Sequence, residues 1–341
     1  MDNKAKKGGK IIRVAVAVVL FMAVAEVGIR FTGLYSQLSE KNGKAFLSLF
    51  EPTHRGIYQN YAPFDTVHIH NTEFSYVHAM DAHGFRNNGP FTDSCAVMAF
   101  GDSFTEGLGA PQDSTWPAQL ATLLHAPVYN AGVMGSDPVY AAKILADNPM
   151  GISPKKAVFV VNYSDIADLV VRGGNERFTA GGTVKYKDAP WFMPVYRYSH
   201  LFRALVHMVF RYDYMFNSPQ NREAHIREAM NGLATTLEEA DALCRQRGIR
   251  MYVFVHPVPQ EYYKRLDGRL DFRAMDALVD TLRANGVQAV NLRPDFEQRL
   301  PTPDDWKKIS WPLDGHFNGQ GYRLMAECIA ATLQKDTSTV Y

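Results

Sequence analysis

Between residues 95 and 292 the chain carries five short apolar runs bounded by turn residues: Cys95 to Phe100, Val128 to Asn130, Ala157 to Val161, Arg250 to Val255 and Val287 to Leu292. Runs this short and rich in Val, Phe and Ala read as strands buried on both faces. Stretches of helical period separate most of them, notably Ala118 to Leu124 and Arg222 to Arg247, and Tyr322 to Leu333 follows the last. Strands alternating with helices pair in parallel, so the pattern predicts a doubly wound α/β sheet with helices on both faces. Val128 to Asn130 is the weakest strand by its own pattern. Upstream, Thr66-Val67-His68-Ile69-His70 alternates like a short strand outside this series.

The start of the chain follows another pattern. Lys4, Lys6, Lys7, Lys10 and Arg13 precede an uncharged run from Val14 to Ala25, and apolar character continues through Val27, Ile29 and Phe31. As a helix, Ile11 to Phe31 spans about 30 Å, the thickness of one hydrocarbon core. Glu26 and Arg30, four apart, can pair on one helical face. Ala23-Val24-Ala25 also fits a signal-peptide cleavage site. The segment therefore reads as an uncleaved anchor or, alternatively, as a signal cleaved near Ala25. Either way the positive flank stays in the cytoplasm and the rest of the chain is exported.

The expected division is a basic tail and signal-anchor helix over 1–31, a pre-domain segment over 32–90, an α/β domain over 91–335 and a tail over 336–341. Within the α/β domain, residues 169–220 form a long irregular insertion. It holds Gly173-Gly174, Gly181-Gly182, Trp191, Phe192, Tyr196 and Tyr198, and an apolar helical pattern from Leu201 to Tyr212. A connection this long is commonly functional, so it reads either as a substrate lid or as packing.

Composition adds mainly exclusions. The 341 residues are 46% hydrophobic and 21% charged with a net charge of +1, which gives no electrostatic case for nucleic acid. Cys95, Cys244 and Cys328 are widely spaced with no metal pattern and read as buried free thiols. His68, His70, His78 and His83 match no standard ligand spacing, so no metal or organic cofactor is expected.

Candidate chemistry lies where the first strand ends. In Val97-Met98-Ala99-Phe100-Gly101-Asp102-Ser103-Phe104-Thr105-Glu106-Gly107 an apolar run breaks at a glycine and a helix pattern starts at the serine. This puts Ser103 at the carboxyl edge of the sheet, on a helix start with unpaired N–H groups. A serine hydroxyl needs a base, itself oriented by a third group. Trp311-Pro312-Leu313-Asp314-Gly315-His316-Phe317-Asn318 offers both in one loop, with His316 as base and Asp314 as orienting acid. His256, closing the fourth strand, is the alternative base.

Taken in order, these segments resemble the SGNH (GDSL-type) serine hydrolase superfamily over roughly residues 94 to 333. Gly101-Asp102-Ser103-Phe104-Thr105-Glu106-Gly107 is similar to its nucleophile block and Asn130-Ala131-Gly132-Val133-Met134-Gly135-Ser136-Asp137 to its second block. Asp314 and His316 match its C-terminal block. The resemblance implies a flavodoxin-like three-layer α/β/α sandwich with a parallel sheet of about five strands. It also implies an acyl-enzyme mechanism, with Gly135 giving an oxyanion-hole N–H. Two departures stand out. Asn162-Tyr163-Ser164-Asp165 replaces the usual Gly-x-Asn-Asp. Alignment on the aspartate puts Ser164 in the side-chain donor position, while Asn162, two residues earlier, faces the same side of the strand and is the alternative. The second departure is Asp-x-His in place of Asp-x-x-His, a form similar to envelope-anchored members and some acetyl-transferring relatives. Gly84-Phe85-Arg86-Asn87-Asn88 resembles a turn seen in anchored members, with Arg86 structural.

The expected function is an extracytoplasmic serine esterase that removes O-acetyl groups from a cell-envelope glycan, with the membrane engaged through the N-terminal helix. One alternative is an O-acetyltransferase that passes the acyl group to a polysaccharide hydroxyl. Another is a non-catalytic glycan-binding or envelope-assembly protein that keeps the fold.

Overall fold

A computed structural model describes residues 2–31, 61–89, 91–178, 191–212, 218–263 and 272–335. The expectations for 32–60, Gly181-Gly182 and the tail 336–341 lie outside the described residues. The chain forms two compact units, one of residues 1–53 with 186–225 and one of 54–185 with 226–341. The hairpin region near residues 66–79 belongs to the same unit as the α/β sheet.

In the first unit α1 runs from Asp2 to Phe31. Its Ile12–Phe31 stretch has a mean hydropathy of 2.3 and is long and apolar enough to cross a membrane.

The second unit opens with an antiparallel hairpin, β1 (Thr66–His70) and β2 (Ser75–Ala79), paired from Thr66–Ala79 to His70–Ser75. The Asn71 side chain closes its turn by accepting from the Glu73 and Phe74 N–H groups at 2.8 and 2.9 Å, an Asx turn of the kind that favours Asn here. The main sheet follows: β3 (Ser94–Phe100), α2 (Ser103–Glu106), α3 (Trp116–Leu124), β4 (Val128–Asn130), α4 (Pro138–Asp147), β5 (Ser153–Val161) and α5 (Tyr163–Arg172).

After α5 the chain passes through α6 (Met193–Tyr198) and α7 (His200–Ala204), both in the first unit. It then enters α8 (Pro219–Gln246), whose first turns belong to that unit. The second unit ends with β6 (Arg250–Val255), α9 (Gln260–Tyr263), α10 (Phe272–Ala284), β7 (Ala289–Asn291), α11 (Arg293–Arg299), α12 (Pro303–Lys308) and α13 (Gly319–Lys335).

All five sheet strands are parallel, in the order β4-β3-β5-β6-β7. Numbered by appearance within the sheet this is the 2-1-3-4-5 order of flavodoxin-like folds, with its switch point between β3 and β5. Period-2 alternation splits each strand between two cores. Met98, Phe100, Ala157, Phe159, Val161, Met251 and Val253 face one side, against Leu145, Ile166, Leu233, Leu237 and Leu278. Val97, Ala99, Val158, Val160, Tyr252 and Phe254 face the other, against Trp116, Leu120, Phe296, Trp306, Met325 and Ile329. Each Val, Leu, Ile, Phe or Met side chain among them, fully buried, contributes roughly 1.5–3 kcal/mol. Cys95, Cys244 and Cys328 are buried free thiols, as expected.

The differences from the sequence pattern are local. β5 begins at Ser153 rather than Ala157 because Ser153, Pro154 and Lys156 also pair with β3, and Lys156 Nζ donates to the Leu333 carbonyl at 3.3 Å. β7 spans only Ala289–Asn291 of the expected Val287 to Leu292. The apolar pattern from Leu201 to Tyr212 is not one α-helix. It gives α7 and then a π-type turn from Leu205 to Val209, after which the chain leaves the helical path at Arg211, where φ is 55°.

Candidate active site

The strand order reverses between β3 and β5, and Asp102, Ser103, Asn162 and Ser164 all follow the ends of these two strands. Asp102 caps α2, its Oδ1 accepting from the Phe104 N–H at 2.9 Å. Ser103 is the first residue of α2, so its N–H has no intrahelical acceptor; it has no acceptor elsewhere among the described residues.

Opposite stands the loop before α13. Ser103 Oγ lies 2.8 Å from His316 Nε2, and His316 Nδ1 lies 2.5 Å from Asp314 Oδ1. With the carboxylate on Nδ1, the imidazole carries its proton there and presents a lone pair at Nε2 to the serine hydroxyl. His316 and Asp314 side chains are 19% and 20% exposed, so the group is open to a substrate. A hydroxyl, an imidazole and a carboxylate in this series can perform nucleophilic attack with proton transfer.

His256, the other candidate base, does not reach the serine. It is fully buried, its Nδ1 lies 2.9 Å from the Pro257 carbonyl, and its ring packs on Phe104 at 4.7 Å. Burial lowers its pKa to about 4, so it is neutral. Phe104 also packs on the His316 ring, at 4.7 Å.

The two side chains expected at the oxyanion sit differently. Asn162 is fully buried and caps α5. Its Oδ1 accepts from the Ser164 N–H at 2.8 Å, and its Nδ2 donates to Asp102 Oδ2 at 3.0 Å, tying the two switch-point loops together. Ser164 is half-buried, and its hydroxyl donates to Asn162 Oδ1 at 2.6 Å. Asp165 completes the capping box by accepting from the Asn162 N–H at 2.7 Å. Burial and the nearby Asp102 raise the Asp165 carboxyl well above the usual range.

Gly135 adopts φ of +73°, a conformation that suits glycine, and its N–H has no acceptor among the described residues. The turn that presents it is held by Glu106, whose buried Oε2 accepts from the Met134 N–H at 2.5 Å. Behind Glu106 lies His78, with Nδ1 3.3 Å from Oε1 and its pKa lowered by burial. Gly132 lets this loop close on α2, since any Cβ there would strike the Thr105 and Glu106 backbone.

Arg86 is buried and structural in its contacts. Its guanidinium donates to the carbonyls of Glu106, Gly107 and Ala110 at 3.1, 2.7 and 2.7 Å, locking the chain after α2. Asn87 mimics a strand against the sheet edge: its side chain accepts from the Asn130 N–H at 2.8 Å and donates to the Asn130 carbonyl at 3.1 Å.

Sequence reasoning missed the hairpin's part in the site. Glu73 accepts from the Leu313 N–H at 3.0 Å and the Asp314 N–H at 2.7 Å, while Asn71 Nδ2 donates to Asp314 Oδ2 at 3.4 Å. Tyr76 Oη accepts from the Gly109 N–H at 2.6 Å, and Trp311 Nε1 donates to the Gly109 carbonyl at 2.6 Å. The polar tripeptide after an alternating run signals a turn, but nothing local announces a partner some 240 residues away. A cavity of about 530 Å³ between residues 86–94 and α3 is lined by none of Ser103, Asp314 or His316.

A 2-1-3-4-5 parallel sheet has the serine at the end of its first strand and the Asp–His loop before its last helix. The chain has a flavodoxin-like three-layer α/β/α fold. No protein-family model matches the sequence, and no curated protein matches it. Solved structures similar to this chain include a protein from Desulfitobacterium hafniense described as lipolytic and of the G-D-S-L family. It shares 13% identity with a TM-score of 0.41, over 70% of this chain and 99% of that one. A GDSL-like lipase from Bacteroides thetaiotaomicron shares 13% identity with a TM-score of 0.40, over 70% of this chain and 87% of that one. Axe2, an acetylxylan esterase from Geobacillus stearothermophilus, shares 12% identity with a TM-score of 0.42, over 69% and 92%.

Proposed function

We propose that this chain is a membrane-anchored serine esterase of SGNH type that removes O-acetyl groups from a glycan outside the cytoplasm. The observation that carries the enzymatic part is the unbroken series Ser103–His316–Asp314, with contacts of 2.8 and 2.5 Å. Ser103 Oγ attacks the acyl carbonyl while His316 Nε2 takes its proton. Asp314 stabilises the imidazolium, which then protonates the departing sugar oxygen. Water, deprotonated by His316, releases acetate from the acyl-serine.

The Ser103 and Gly135 N–H groups serve the tetrahedral oxyanion. Ser164 is the side-chain donor in this reading, its hydroxyl turning from Asn162 Oδ1 toward the oxyanion. Asn162 is the buried cap that holds the turn, supported by its complete burial and its bond to Asp102. The address rests on α1, an apolar span behind a basic flank, and the glycan follows from that address.

The test is labelling of full-length protein with a fluorophosphonate, together with hydrolysis of 4-nitrophenyl acetate and an acetylated oligosaccharide. Ser103 modified by mass spectrometry, with acetate released from both esters, is the expected result. A folded protein with neither labelling nor hydrolysis overturns the reading. Acyl transfer to an added oligosaccharide in preference to water makes it a transferase instead.

A further inference from the structure

The first unit exposes an unusual run of large apolar side chains. Trp191 is 89% exposed, Tyr198 70% and Met208 64%, and Val195, Val209 and Phe210 are also open to solvent. Apolar exposure this dense marks a surface made to be covered. Residues 191–212 include Arg197, Arg203, Arg211, His200 and His207 and no acidic residue.

The same unit shows what covers it. Glu26, in the apolar part of α1, bonds to this segment and to its own neighbour Arg30. Its carboxylate accepts from Ser199 Oγ and from the His200 and Leu201 N–H groups, each at 2.8 Å, and from Arg30 Nε at 2.8 Å. Arg30 in turn donates to the Tyr198 carbonyl at 2.6 Å. A carboxylate in a membrane span is costly unless its partners come with it. Here they are four donors, including the N-terminal N–H groups of α7.

The geometry then sets a depth. Glu26 stands five residues before the last residue of the apolar span Ile12–Phe31. At 1.5 Å per residue that is about 8 Å inside its end. Residues bonded to Glu26 share that level, where acyl chains meet headgroups. Exposed Trp and Tyr favour this zone.

We propose that residues 191–210 form an interfacial element seated in the bilayer leaflet at the C-terminal end of α1, with lipid as the partner of its exposed apolar face. This rests on the anchored reading of α1. Glu26 is then the tie between span and element.

The test is spin-label accessibility on full-length protein in nanodiscs of phosphatidylcholine and phosphatidylglycerol. Single cysteines replace Val18, Val195, Val209 and, as an aqueous control, Val77; the natural thiols are buried. Collisions with oxygen, which concentrates in lipid, are compared with those of a water-soluble nickel chelate. The expected result is a severalfold oxygen preference at Val18, Val195 and Val209 and a nickel preference at Val77. Oxygen preference at Val18 with nickel preference at Val195 and Val209 overturns the inference and leaves the anchor standing. Exclusion of both reagents from Val195 and Val209 overturns it in favour of a protein partner. Nickel preference at Val18 overturns the anchored reading and the inference with it.

Discussion

Ser103 and the Asp314–His316 pair meet at 2.8 Å, yet they are supported in opposite ways. The serine ends a strand buried on both faces, is preceded by the buried cap Asp102 and is followed by a turn clamped by Arg86. The Asp314–His316 pair sits on a loop about one-fifth exposed, held by polar contacts from residues distant in the chain: Glu73, Asn71 and the Gln260 side chain. Rigidity on the serine side comes from packing together with buried hydrogen bonds from Asp102, Arg86 and Asn162. On the histidine side it comes from a few hydrogen bonds on a more exposed loop, each of which single changes can remove. Support lost around Ser103 should therefore show first as lost stability, and support lost around His316 as lost rate.

The largest expected effect is at the packed side. Ser103→Ala should reduce kcat by a factor on the order of 10⁴ to 10⁶ with the melting temperature unchanged. Retained turnover in a folded variant would dissolve the comparison, because no nucleophile would remain to be held.

Next come the two switch-point side chains. Ser164→Ala should lower kcat on the order of 10²-fold with KM little changed, the signature of a transition-state donor. Asn162→Ala should instead destabilise the fold by about 1–3 kcal/mol, because it orphans buried partners. Denaturant melts and kinetics on both variants check this, and exchange of the two signatures would make Asn162 the donor.

A smaller loss is expected from the polar support of the acid–base loop. Glu73→Ala leaves the Leu313 and Asp314 N–H groups without their carboxylate. It should lower kcat roughly tenfold, in the range a mispositioned catalytic group costs, while fluorophosphonate still labels Ser103. An unchanged kcat would show that the loop holds itself, and the contrast between the two sides would fall.

A last effect, on stability rather than rate, concerns His256. Its pKa of about 4 in the fold lies below the ordinary value near 6.5, so the unfolded chain binds the extra proton first. The stability it confers is complete above pH 6.5 and is lost as pH falls toward 4. Between pH 7 and pH 5 the loss is about 2 kcal/mol. His256→Gln should flatten that part of the stability curve. An equally steep curve in the variant would assign the acid sensitivity elsewhere.

Much of this was legible along the chain. The five apolar runs and intervening helical periods led to the parallel sheet, because burial on both faces leaves an unbroken hydrophobic signal. That Ser103, Asp314 and His316 could meet was legible because Gly-Asp-Ser marks a strand end at the sheet edge and Asp-Gly-His marks a loop. The start of β5 was not, since Lys156 looks like a loop residue until β3 and β6 pair with its backbone. Nor was the π-type turn after α7, because an apolar helical pattern does not reveal where its hydrogen bonds slip.

Local order therefore decided which residues become strands, caps and candidate nucleophile, since propensity, periodicity and turn chemistry act over a few neighbours. The tertiary structure alone decided that His316 rather than His256 faces Ser103, and that Asn162 is consumed by Asp102. It alone decided that a hairpin tip at Glu73 and Asn71 holds Asp314, and that Glu106 sets the turn bearing Gly135. These are contacts between residues dozens to hundreds of positions apart. Their energies depend on burial and on a few tenths of an ångström, which only the assembled sheet and its loops supply.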